Sequence, residues 1–127
     1  MSSENGVGTG TLRVMISLSH TTNADANTVV ECLVDTGAAY SQFPKSLLAS
    51  LGIAPTGERT IIYADGRRVN CQVGEARVSL NNRQTPTLVL FGEEGAPVLL
   101  GAMTLEGLAL GVDPLGRQLV PVDVPMA

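Results

Sequence analysis

A chain of 127 residues with 44% hydrophobic and 16% charged content can bury one sizeable core and is too short for two. That balance excludes an intrinsically disordered chain, and aromatics at 3% leave the core to Val, Leu, Ile and Ala. A formal net charge of −4 gives no basic footprint for nucleic acid, and no apolar run approaches membrane-spanning length.

Residues 1–9 read as a loose polar arm in front of a single domain over residues 10–127. The arm has neither the basic nor the apolar region of a signal peptide, so a cytoplasmic location is expected, with an excised domain as the reading that would look identical. Residues 11–18 alternate as a strand, with Leu12, Val14 and Ile16 on one face. Residues 20–27 form a polar turn region, and residues 28–34 read as a mostly buried strand that ends on Asp35-Thr36-Gly37. A helix is expected over 44–52, with Pro44 at its first position, Gly52 past its end, and Leu47, Leu48 and Leu51 facing inward.

Residues 60–80 read as a long hairpin. One limb runs over 60–64, Asp65-Gly66 makes a two-residue turn, and the return limb begins at 67 and continues to Leu80. A turn over 81–84 leads to a strand over 87–91. Val98-Leu99-Leu100-Gly101 is a short strand before a helix over 103–110. Strands around 112–113 and 118–124 close the chain, with Pro121 and Pro125 suited to an edge or a terminal ribbon. Frequent Gly and Pro between β-branched runs favour an all-β domain with one or two short helices. Leu33 to Ile53 and Leu99 to Val112 echo one another as strand, glycine turn, helix and Leu-Gly-β-branched, which suggests a duplicated unit.

Cys32 and Cys71 stand far apart, His20 is the sole histidine, and no metal-ligand spacing is present, so no metal and no cofactor are expected. Two buried free thiols are the expected state of the cysteines. Nucleophilic catalysis through His20 has no strained nucleophile turn to support it. Gly6-Val7-Gly8-Thr9-Gly10 lacks the strand and helix that a phosphate loop needs.

Chemistry concentrates at Asp35. Asp-Gly pairs are ordinary turn formers, and Asp65-Gly66 is such a pair. Asp35 differs because it emerges from the apolar run Val29-Val30-Glu31-Cys32-Leu33-Val34, where burial disfavours an anion unless donors stabilise it. Two such carboxylates facing each other share one proton. The ionised member can then activate a water while the protonated member polarises a peptide carbonyl. The chain carries this turn once, and the chemistry needs it twice. Asp113 and Asp123 lie on no Thr-Gly turn, and Gly101 fills the pseudo-equivalent place without a carboxylate.

Leu33 to Ser41, reading Leu-Val-Asp-Thr-Gly-Ala-x-x-Ser, resembles the active-site turn of retropepsin-like aspartic peptidases. Residues 61–69 fall where that family has its flap, and residues 98–110 are similar to its apolar-apolar-Gly segment and helix. The resemblance implies a closed barrel equivalent to half of a pepsin-like enzyme, acting as a homodimer with Asp35 of each subunit in one site. It implies hydrolysis of extended polypeptide, with Thr36, Gly37, Ala38 and Ser41 supporting the turn. Tyr63, Ala64, Asp65, Gly66 and Arg67 would then form a flap over the substrate. Residues 11–18 and 119–124 are expected to supply an intersubunit sheet. Ala39-Tyr40 and Arg67 depart from the viral pattern, so pockets and flap motion do not transfer. A non-catalytic module of the same fold, dimerising or binding peptides, is the alternative.

Overall fold

The computed structural model describes residues 12–113, 115 and 117–126; the predicted arm over 1–9 lies outside them. Alternating apolar residues open the chain as antiparallel strands β1 (Arg13–Ser19) and β2 (Asn27–Val34), paired from Arg13↔Leu33 to Ser19↔Asn27. Ile16 on β1 points into the core as predicted, with Leu12 and Val14 packed partly buried against it. β2 departs from the mostly buried strand expected of its composition. Only Cys32 and Val34 are buried, and Val29 is 64% exposed. Side chains along a strand alternate between faces, so a strand with one wet face buries every second residue whatever its hydropathy.

β3 (Ser41–Pro44) leads directly into α1 (Lys45–Ser50), with Pro44 one residue ahead of the helix. The helix ends at Ser50, and Gly52, the glycine expected just past its end, takes φ +75. Its N–H bonds the Ala49 carbonyl (2.9 Å), and Ile53 N–H bonds that of Leu48 (3.0 Å). In this Schellman closure both Leu48 and Ile53 are buried.

β4 (Gly57–Ile62) and β5 (Arg68–Leu80) form the long hairpin, in register from Ile62↔Arg68 to Gly57↔Val73. Its tip is a loop over Ala64-Asp65-Gly66 rather than the two-residue turn expected. Gly66 N–H reaches the Tyr63 carbonyl (2.8 Å) and Tyr63 N–H that of Arg67 (2.9 Å). Gly66, at φ +87, supplies the left-handed residue that such a three-residue loop needs. β6 (Arg83–Gly92) starts earlier than the predicted 87, because Asn81 at φ +56 closes the preceding turn and frees Arg83 and Gln84 to pair with Leu80 and Ser79.

β7 (Leu99–Leu100) precedes α2 (Ala102–Leu108), which ends two residues short of the predicted 110. Ala109 takes φ +55 at its end, and the Arg83 guanidinium closes on the Leu108 and Ala109 carbonyls (2.8 and 3.2 Å). β8 (Leu110–Asp113) and β9 (Gln118–Pro121) make a separate ribbon. The last strand stops at Pro121 rather than 124.

The seven-stranded sheet runs β1-β2-β7-β3-β6-β5-β4, and a further β1–β5 pairing closes it on itself, leaving β4 outside the ring. Ile16, Leu18, Val34, Phe43, Val78, Val89 and Leu100 fill the interior, with Leu105 and Leu108 of α2 in the same cluster. Within the chain, Ser17 to Ser19 of β1 pair with β5 on the side away from β2, and among the described residues Leu119 to Pro121 pair along one edge, with β8. Thr11, the first residue of the expected intersubunit sheet, lies outside the described residues.

Candidate active site

β2 and β7 run parallel, with Leu33↔Leu99 and Val34↔Leu100 in register. Leu33 N–H donates to the Val98 carbonyl (2.9 Å) and Asp35 N–H to that of Leu100 (3.0 Å). The two apolar strands therefore end side by side, one on Asp35 and the other on Gly101. The Asp35 turn is closed by Ala38 N–H on the Asp35 carbonyl (3.1 Å) and by Gly37 N–H on Asp35 Oδ1 (3.0 Å). That second bond is the side-chain closure typical of an Asp turn. It holds one carboxylate oxygen, and the side chain stays half-buried at the surface of the chain. Thr36 and Gly37 are exposed at the apex, and Ala38 is half-buried beneath them.

The turn rests on the start of α2. Ala102 N–H donates to the Ala38 carbonyl (2.8 Å) and Met103 N–H to that of Ala39 (3.1 Å). Gly101 makes this approach possible. A Cβ there would lie 2.6 Å from the Tyr40 carbonyl carbon and oxygen and 2.9 Å from the Ala38 oxygen. Ser41 is fully buried, and its Oγ accepts from Gly101 N–H (3.0 Å). The same Oγ lies 2.6 Å from Thr104 Oγ1, which lies 2.8 Å from Thr87 Oγ1. Sequence reasoning anticipated Ser41 and missed both threonines. Their one signal was a hydroxyl on the apolar side of α2, where Thr104 stands beside Leu105 and near Leu108.

Among the described residues Asp35 has no cationic partner. The ion pairs there are Lys45–Glu93 (3.0 Å) and Arg67–Asp65 (3.7 Å). Cys32, three residues upstream, is buried, and burial, with Glu31 adding, pushes its thiol up to about 12. It therefore packs as a neutral group. Both cysteines are free, but Cys71 is only half-buried, because it lies in the part of β5 that pairs with β4 outside the ring. Asp113 Oδ1 accepts from Leu115 N–H (3.0 Å) between β8 and β9, and Asp123 is exposed beyond the ribbon. No group of three His, Cys, Asp or Glu side chains among the described residues is placed to hold a metal.

The hairpin-tip residues gather around one another. Tyr63 is half-buried, and the Arg67 guanidinium lies 4.5 Å from its ring centroid. Asp65 Oδ1 accepts from Arg67 N–H (2.9 Å), and Ala64, Asp65, Gly66 and Arg67 are exposed. No hydrogen bond among the described residues joins this tip to the Asp35 turn.

A family model described as aspartyl protease matches residues 9–104. The fold is similar to that of the EIAV protease complexed with the inhibitor HBY-793, at 18% identity and TM-score 0.56, covering 92% of this chain and 98% of that one. It is also similar to the foamy viral protease-reverse transcriptase in complex with an RNA/DNA hybrid, at 14% identity and TM-score 0.57. That match covers 92% of this chain and only 13% of the other, so the likeness is to one part of a much longer protein. No curated sequence is significantly similar to this chain.

Proposed function

The chain belongs to the aspartyl protease family, and from that premise we propose that it hydrolyses peptide bonds in extended polypeptides, in a site that two copies complete with Asp35 from each. The observation that carries this reading is the pairing of turns at the ends of β2 and β7, where Asp35 has Gly101 in register beside it. One chain thus offers one acid on a Thr-Gly turn, and in this reading a second copy is the source of the other.

In the assembled site the two carboxylates share a proton, because like charges at close range cannot both be ionised cheaply. The ionised oxygen takes a proton from a water held between the pair. The protonated partner polarises the scissile carbonyl, and no covalent intermediate forms. Gly37 N–H keeps one Asp35 oxygen fixed, leaving the other for the water. Thr36, exposed at the apex, offers a hydroxyl for a hydrogen bond across the axis between copies. The β4–β5 hairpin closes over an extended substrate whose backbone adds to it as a strand. Apolar side chains beyond β9, including Val124 at 60% exposed, support burial against a second copy. The shared proton favours activity at mildly acid pH.

Incubation with a denatured protein and a peptide library, with Asp35→Asn as control, tests the reading. Cleavage by the wild type is expected, lowered about 100-fold or more in the variant. Equal cleavage by both would refute it, and no cleavage by either would favour a non-catalytic module of the same fold.

A further inference from the structure

Three hydroxyls are buried together beneath the Asp35 turn, against a core cluster of apolar side chains. They come from three different elements: Ser41 on β3, Thr104 on α2 and Thr87 on β6. Gly101 N–H can only donate, so Ser41 Oγ accepts there. With the Ser41 hydroxyl directed to Thr104 and that of Thr104 to Thr87, Ser41 and Thr104 each accept one bond and donate one. Valine has nearly the same shape as threonine and would fill these sites without a polar atom, so packing alone does not call for the hydroxyls.

What the chain of hydroxyls holds is the junction of β7 and α2. The Asp35 turn hangs from both sides of that junction, by Asp35 N–H on the Leu100 carbonyl and by Ala102 N–H on the Ala38 carbonyl. We infer that Thr104, with Thr87 behind it, is a positioning residue for Asp35, acting through Ser41 and Gly101. Its kinetic consequence rests on the peptidase reading above. An acid that must meet its counterpart from another chain tolerates little displacement, and small misplacements cost rate rather than binding.

Thr104→Val removes the hydroxyl and keeps the shape, and Thr104→Ser keeps the hydroxyl. The valine variant is expected to lose about 10- to 100-fold in kcat with KM nearly unchanged, and the serine variant to retain wild-type kcat. Thr85→Val is the control. It deletes another buried hydroxyl, one bonded to the adjacent Pro86 carbonyl, and is expected to leave kcat alone. Amide exchange at Gly101 and Ala102 should quicken in Thr104→Val and not in Thr85→Val. That measurement needs no activity, so it stands even if the wild type cleaves nothing and the peptidase reading fails. Should Thr104→Val not fold, Thr87→Val is read in the same way. Wild-type kcat with wild-type exchange in the valine variant would overturn the inference. So would unchanged exchange in a wild-type background that shows no cleavage, or a kcat loss that serine does not rescue and Thr85→Val equals.

Discussion

The ends of β2 and β7 lie parallel and in register, yet the chain uses them in opposite ways. The β2 end opens into a surface turn that presents a carboxylate and two exposed residues, Thr36 and Gly37. The β7 end closes onto that turn with a glycine and leads straight into α2, with no side chain at the junction. One turn is shaped for chemistry and the other for support. The supporting turn has no room for an acid of its own, because the Tyr40 and Ala38 carbonyls occupy the space a side chain would need. This difference is why the catalytic proposal requires a second copy of the chain.

Altering each turn separately sharpens the contrast. The largest effect is expected at Asp35. Asp35→Asn should lower cleavage by about 10²- to 10⁴-fold, the usual worth of a general acid–base group. Its thermal unfolding should stay close to wild type, because the side chain is only half-buried. Leu100→Ala, at the fully buried residue whose carbonyl receives Asp35 N–H, should cost about 2–5 kcal/mol in denaturant unfolding. Gly101→Ala should cost about 1–3 kcal/mol, with the loss appearing in activity as well as stability, since the clash is with the turn itself.

Cys32 on β2 gives a pH-dependent test of the same strand. Its thiol is raised from 9.0 to about 12 in the fold, so the folded chain keeps a proton that the unfolded chain gives up. The resulting stability is complete below pH 9 and is lost as pH climbs from there toward 12, by up to about 1.4 kcal/mol per pH unit. Cys32→Ala should flatten that alkaline slope in equilibrium unfolding. The smallest effect belongs to the hairpin tip. Arg67→Ala removes the stacking on Tyr63, worth about 0.5–1 kcal/mol at an exposed site, and should alter KM more than kcat.

The strands, both helices and the Asp35 turn were legible because each rests on local patterning: alternation, Pro and Gly punctuation, and an acid at the end of an apolar run. Ring closure was not, since pairing β1 with β5 joins Ser17 to Ser79, and no local signal spans that distance. The hairpin loop was mistaken by one residue, because Asp-Gly suits both two- and three-residue loops and the flanking Tyr63 and Arg67 decide between them. Thr87 and Thr104 stayed hidden for a related reason: a threonine in an apolar stretch looks the same whether its hydroxyl is bonded or idle.

Mixing subunits tests the central claim most directly. A fixed amount of wild type is titrated with Asp35→Asn chains under conditions where copies exchange, and peptide cleavage is followed. If each site needs an acid from both copies, a tenfold excess of the variant should leave roughly a tenth of the activity by mass action. Activity that stays level through the titration would mean that one chain cleaves alone, and the account of a shared site would be wrong.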